Sequence, residues 1–295
     1  MTHTQYYRDV NAYFSSASTV LKRKRYQHSH KRLKAAYNAA KSLAIARFMV
    51  PKGRILDIGC GKGSELLKFG RHRPEFVVFM DLSAVCLSRV KEFSLVKGIK
   101  YPLGLLQGNA FTDDISQKTT LVQKKTHVPR RVRLTGLNVV TTFSVLEYCP
   151  DMRALHTLCN SIATMLSPGG AWIGCTTDGT KLMERCNNTG YYEDFYCKIQ
   201  LQPDSNQYQF QSMQNNPRFQ YSWALPTIVA VAAQHGLVLG SNQSLLNVLA
   251  NSVMDKHYKQ IRHGSQLNGK YKLQLDDFRP LSLLTFFTFH KPASE

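Results

Sequence analysis

Between Arg54 and Gly63 the chain reads Arg-Ile-Leu-Asp-Ile-Gly-Cys-Gly-Lys-Gly, an apolar run that ends in three alternating glycines. No other stretch limits the fold as much. Ile55, Leu56 and Ile58 predict a short buried strand, and Ser64 to Gly70 a helix. Between them, Gly59, Gly61 and Gly63 allow a sharp turn and a close approach of backbone to ligand. A strand, a glycine turn and a helix in that order put a ligand at the carboxyl end of the strand. A dinucleotide fingerprint would read G-x-G-x-x-G, and a phosphate loop would close on Gly-Lys-Ser/Thr at a set spacing; the chain has neither. Asp57, just before the turn, suits a cofactor with a cationic amino-acid group better than a pyrophosphate.

The flanking pattern repeats the unit. Leu33, Ala36, Tyr37, Ala40, Leu43, Ala44 and Phe48 recur at helical steps and predict a helix over 30–49, closed by Pro51-Lys52-Gly53. Strands are predicted at Phe76–Asp81, Leu103–Leu106, Asn138–Phe143 and Ala171–Cys175, with helices at Ala84–Val96 and Met152–Leu166. A helix over Leu225–Gly236, a strand over Leu237–Leu239 and a last strand over Ser282–Phe289 follow. Such alternation predicts an α/β fold with a doubly wound, mostly parallel sheet. Residues 112–136 interrupt it as a long loop or insertion. Residues 178–222, rich in Gln, Asn and Tyr, are expected either over the sheet's carboxyl edge or as a surface excursion.

Composition narrows the partner. The 295 residues hold 38 Lys+Arg against 19 Asp+Glu, a formal net charge of +19, which favours a polyanion, nucleic acid before anionic lipid. The charge gathers in Lys22–Arg25 and Lys31–Lys34, and again in Lys118, Lys124, Lys125, Arg130, Arg131 and Arg133. The first tetrad reads as a nuclear-import signal or as a solvated arm. At 43% hydrophobic residues a sizeable core can form, which excludes wholesale disorder. Seven cysteines, an odd number without a CxxC pair, argue against a disulfide framework and predict a reducing compartment. His28 and His30 have no nearby cysteine partner, so no metal is expected. A polar N-terminus and the lack of a run of about 18 apolar residues predict neither secretory signal nor membrane span.

The Asp-x-Gly-x-Gly-x-Gly turn, with Asp81 after the second strand, Asn109 after the third and Phe143 to Tyr148 after the fourth, resembles the class I S-adenosylmethionine-dependent methyltransferases. That resemblance implies a Rossmann-like sheet of the seven-stranded type. Two stretches resemble one branch, the messenger-RNA cap guanine-N7 methyltransferases: Leu56–Lys68, with its Gly-Lys-Gly-Ser-Glu-Leu-Leu-Lys, and Tyr37-Asn38-Ala39-Ala40-Lys41-Ser42. Ser167–Thr177 is similar too. The resemblance runs from about residue 30 to 290 and is densest before 180.

What it implies is a basic arm over 1–29 and a methyltransferase domain over 30–295, with insertions near 112–137 and 178–222. Lys41 would meet the methionine carboxylate of S-adenosyl-L-methionine, with Asp57, Gly59, Gly61, Asp81, Asn109, Phe143 and Tyr148 holding the rest. Lys62 and Lys68, with Asn38, would face the cap triphosphate, and no catalytic acid or base is implied. The partner would be 5′-capped RNA, with other capping enzymes or a polymerase tail as further candidates, in the nucleus or else the cytoplasm. The pocket for guanine departs from the family pattern: Glu147-Tyr148 stands for a His-Tyr pair, Gln220 for a Glu and Leu284 for a Tyr. Glu147 could still accept from the guanine N1–H and amino group. Rival readings are a class I methyltransferase acting on another RNA position or a small acceptor, and a catalytically silent capping-complex subunit.

Overall fold

In the computed structural model, the chain is described over residues 7–8, 24–123, 129–194, 196–203, 205–212, 217–251 and 278–293. Lys22, Arg23, Lys124 and Lys125 of the basic stretches lie outside these residues. Helix α1 (Lys24–Phe48) begins six residues before the predicted start, so it takes in Lys24 and Arg25 of the expected arm as well as Lys31–Lys34. Its face of Ala36, Ala39, Ala40, Leu43 and Ala44 is buried, and small side chains there let the helix approach the sheet closely.

The alternation from β1 (Arg54–Ile58) onward follows the predicted order: α2 (Leu66–Gly70), β2 (Phe76–Asp81), α3 (Ala84–Val96) and β3 (Leu103–Gln107). The insertion after β3 is not a plain loop. Its β4 (Thr119–Gln123) and β5 (Arg130–Arg133) pair antiparallel and extend the sheet edge. Then come β6 (Leu137–Phe143), α4 (Met152–Met165) and β7 (Leu166–Thr177), the last starting five residues earlier than predicted, with a register shift against β6 near Leu137. One Ser and two Asp oxygens cap three helices in turn: Ser83 accepts from Cys86 N–H, Asp151 from Ala154 N–H, and Asp178 from Thr180 N–H ahead of α5 (Gly179–Cys186).

Residues 178–222 hold a second sheet. Strands β8 (Tyr191–Glu193), β9 (Cys197–Leu201), β10 (Gln207–Ser212) and β11 (Arg218–Tyr221) form an antiparallel sheet in the order β11-β10-β9-β8. The chain returns through α6 (Leu225–Gln234), β12 (Val238–Ser244), α7 (Leu245–Asn251), α8 (Phe278–Ser282) and β13 (Leu284–His290). The main sheet runs β12-β13-β7-β6-β1-β2-β3-β4-β5, so the hairpin adds two strands to the seven expected. Among the described residues, the antiparallel pairs of this sheet are β13 with β7 and with β12, β3 with β4, and β4 with β5. One apolar cluster packs α1, α2, α3 and α7 on one face of the sheet, and another packs α4 and α6 on the opposite face. All seven cysteines are buried and free. Among the described residues no helix is long and apolar enough to cross a membrane.

Where α4 and α6 meet, His156 Nδ1 lies 3.1 Å from His235 Nε2 and the rings pack edge to face. Burial first, and the facing His156 second, push the His235 imidazole below its ordinary value. The unfolded chain, with a histidine pKa of about 6.5, takes up that proton more readily than the native one. Stability should therefore be full above about pH 6.5 and fall as the pH drops toward the native value. Urea midpoints measured from pH 7.5 to 5.5 should show this fall, and His235→Gln should flatten it.

Candidate cofactor and substrate site

The turn after β1 depends on two glycine backbones. Gly59 has φ +65°, and a Cβ there would stand 2.5 Å from Val145 Cγ2. Gly61, at φ +52°, turns its N–H onto Asp81 Oδ2 at 2.7 Å, while Ser83 N–H donates to the other Asp81 oxygen at 2.9 Å. The end of β2 thus locks the turn after β1. Burial pushes the Asp81 carboxyl up, against these donors. The groove above the turn is a cavity of about 330 Å³ at the carboxyl ends of β1, β2, β3 and β6, where a parallel sheet places ligands.

Most of the expected cofactor residues meet there. Lys41, Gly59, Gly61, Asp81, Asn109, Phe143 and Tyr148 line the cavity, and so does exposed Lys62. Asn109 is held in place by its own turn: its side chain accepts from Phe111 N–H, and its N–H donates to Asp113. Asp57, Asn38 and Lys68 are not in the wall. Asp57 lies beneath the turn, its Oδ1 accepting from Thr141 Oγ1 at 2.6 Å and its Oδ2 buried without a hydrogen bond.

Lys68, expected to face substrate, is turned inward. Its ammonium is buried, donating to the Ser64 carbonyl and to Asn38 Oδ1 at 3.2 Å, and it pairs with Glu65 at 3.4 Å. Asn38 is therefore a partner of Lys68. Glu65 also forms an ion pair with Lys41, which donates to Ser64 Oγ at 3.1 Å. Burial alone would raise the Glu65 carboxyl, but the two ammonium groups overcome it and hold it down to about 2. Burial draws the Lys68 ammonium down to about 8, with Lys41 adding to the fall and Glu65 opposing it. The same burial, with Glu65 beside it, drives Asp57 well up.

The segment after β6 forms the far wall. Ser144 has φ +57°, strained for a residue with a Cβ; its N–H donates to the Cys175 carbonyl and its Oγ meets Tyr37 OH at 2.7 Å. Glu147 points into the protein. Its Oε1 accepts from Thr177 N–H at 2.9 Å, its Oε2 is buried without a hydrogen bond, and burial raises its pKa. Leu284 is the strand partner of Thr177, and buried Gln220 stands opposite Tyr208 in the second sheet. Burial and then the Glu147 charge raise the Tyr208 phenol, which also bonds Thr177. Glu147, Gln220 and Leu284 thus gather around Thr177, behind Tyr148 and Arg218 in the cavity wall.

Sequence reasoning missed Glu65, Ser144, Arg218 and Tyr7. Glu65 carried a signal, since it precedes Lys68 by three residues on one helical face. Arg218 and Tyr7 reach the cavity only through tertiary packing and had none.

The sequence model of the mRNA (guanine-N(7))-methyltransferase domain matches residues 2–292. The mRNA cap guanine-N(7) methyltransferase of Saccharomyces cerevisiae is 22% identical over 285 residues, covering 86% of this chain and 63% of that protein. That of Drosophila melanogaster is 24% identical over 234 residues, covering 72% and 51%. The chain therefore spans between about half and two thirds of these relatives' length. Among solved structures, an S-adenosylmethionine-dependent methyltransferase from Clostridium acetobutylicum superposes with TM-score 0.55 at 12% identity, over 88% of this chain and 92% of that one. A Pyrococcus horikoshii protein gives 0.53 at 14%, over 98% of both. At such identities these structures speak to the fold alone. The match over nearly the whole chain is to one domain: the chain belongs to the mRNA (guanine-N(7))-methyltransferase domain family.

Proposed function

We propose that this chain transfers a methyl group from S-adenosylmethionine to N7 of the guanosine cap of mRNA. The observation that carries the reading is the family match over residues 2–292, on a chain whose glycine turn, Asp81 and Lys41 converge on one cavity. The residues fit the cofactor. Gly59 and Gly61 keep the backbone bare where a ligand must come close, Asp81 offers acceptors to a ribose diol, and Lys41 offers a cation to a carboxylate. Asn109 would meet the adenine, with Phe143 and Tyr148 beside the reacting end. Asp57 would act from beneath, through the charge network of Lys41, Glu65 and Lys68, rather than by contact.

When bound, the cofactor supplies a methyl group on a cationic sulfonium that is its own leaving group. Guanine N7 carries a lone pair and no proton, so the chain needs no general base. Its residues orient the acceptor, a contribution worth ~7–11 kcal/mol in favourable cases. Positive charge grows on guanine as the bond forms, and a carboxylate behind the pocket then favours the transition state over the ground state. In this reading that part falls to Glu147, buried behind the cavity wall with one oxygen held by Thr177. Lys62, exposed beside the turn, is the lysine left to meet the cap phosphates, with charge and backbone donors acting together. Capped RNA is the partner in this reading, and the nucleus the place of work.

A second reading draws support from the diverged positions Glu147, Gln220 and Leu284: a methyltransferase of the same family serving another RNA position. One assay separates them. With radiolabelled S-adenosylmethionine and RNA bearing an unmethylated guanosine cap, digestion and chromatography should return the label on guanine N7; label elsewhere overturns the first reading. The two lysines should part company as well. Lys62→Ala should raise KM for capped RNA about tenfold, the loss of one charge-assisted contact, with cofactor affinity unchanged. Lys68→Ala should instead lower stability, by on the order of 3 kcal/mol, because it breaks a buried ion pair. An unchanged melting temperature with impaired use of capped RNA would return Lys68 to the substrate.

A further inference from the structure

Tyr7 belongs to the first ten residues of the chain, yet its ring is only 8% exposed. It packs parallel to Phe111, interplanar angle 12°, with centroids 6.2 Å apart, and its hydroxyl donates to the Tyr148 carbonyl at 3.4 Å. It therefore spans the cavity wall from the Asn109–Phe111 turn after β3 to the segment after β6. Its position has a second consequence. A neighbouring cavity of about 280 Å³, lined by Thr112, Asp151, Arg153 and Thr157, has Tyr7 and Phe111 as shared wall with the cofactor cavity. Burial, with Cys149 and Asp151 nearby, pushes the Tyr7 phenol up, so the hydroxyl is a neutral donor at physiological pH.

We infer that Tyr7 is a binding residue for the nucleoside half of the cofactor, an aromatic wall supplied by the N-terminal segment to a cavity otherwise built by the sheet. This rests on the reading of the cavity as an S-adenosylmethionine site. The chemistry is that of a planar heterocycle against an aromatic face, which excludes water from one side of the ligand and adds area at little entropic cost. Without the ring the two cavities join, and water reaches the end that Asn109 flanks. The phenol also bonds the backbone next to the acceptor pocket, so one side chain ties the nucleoside end of the cavity to its reacting end.

Calorimetric titration of the full chain with S-adenosylhomocysteine tests this, using wild type, Tyr7→Ala, Tyr7→Leu and Tyr7→Phe. Tyr7→Ala and Tyr7→Leu should weaken binding about tenfold, the loss of one ring-on-base contact, while Tyr7→Phe stays within about twofold. In turnover, KM for S-adenosylmethionine should rise in the first two variants with KM for capped RNA unchanged. A role confined to folding would instead be relieved by the bulky leucine or would move both KM values together, and either result overturns the inference. Wild-type binding with undiminished affinity in Tyr7→Ala overturns it alone. A wild-type chain that fails to bind S-adenosylhomocysteine overturns the cofactor reading and this inference with it.

Discussion

One side of the cavity leans on a buried cluster of charge. Glu65 accepts from Lys41 on α1 and from Lys68 on α2, with Asp57 of β1 within reach of their fields. Burying these groups forfeits several kcal/mol of hydration per ion, which their attraction returns only in good geometry. Two cations on one carboxylate, with Ser64 and Asn38 taking up further donors, meet that condition. The return is position. Helix α1 and the first turn of α2 are cross-linked beside the glycines, Asp57 at the end of β1 is tied to Thr141 of β6, and the Lys41 ammonium is held at the cavity wall. Removing either lysine leaves a buried carboxylate with half its compensation, whereas the glycine turn itself is held from the opposite side by Asp81.

How much of this could be read from residues alone follows from which forces were local. The β1 turn was legible because an apolar run and three glycines have few other solutions, and the parallel sheet followed from the repeating period. The β4–β5 hairpin was not, because Thr119–Gln123 alternates weakly and Arg130–Arg133 is almost wholly charged; tertiary pairing at the sheet edge decides it. The second sheet hides for the same reason in a polar stretch. Lys68 shows a different limit. A lysine in the first turn of a short helix is ordinarily solvated, and the placement of Asn38 and Glu65 around Lys68 turns the ammonium inward.

The excess of positive charge also divides once its geometry is known. Arg54 and Arg130 both bind Glu75, at 2.8 and 2.7 Å, and tie the hairpin to the start of β2. Arg32 is buried on α1. Part of the basic character of the insertion and of the first helix is thus spent on holding elements together, with salt-screened, modest energies at the exposed pairs. Lys62, exposed and in the cavity wall, has no such duty among the described contacts.

The two sheets keep separate cores. The antiparallel sheet packs Cys197, Ile199 and Tyr208 against Leu182 and Cys186 of α5 and against Leu283, in an apolar cluster distinct from the two that flank the main sheet. Glu147, bonded to Thr177 at the seam, is joined to that sheet through Tyr208 rather than through the glycine turn. Mutational drift at the seam can therefore proceed without disturbing the machinery on the other side. A substitution at Glu147, Gln220 or Leu284 would be felt first at Thr177 and in the second sheet, and would leave the Asp57–Gly63 turn as it stands.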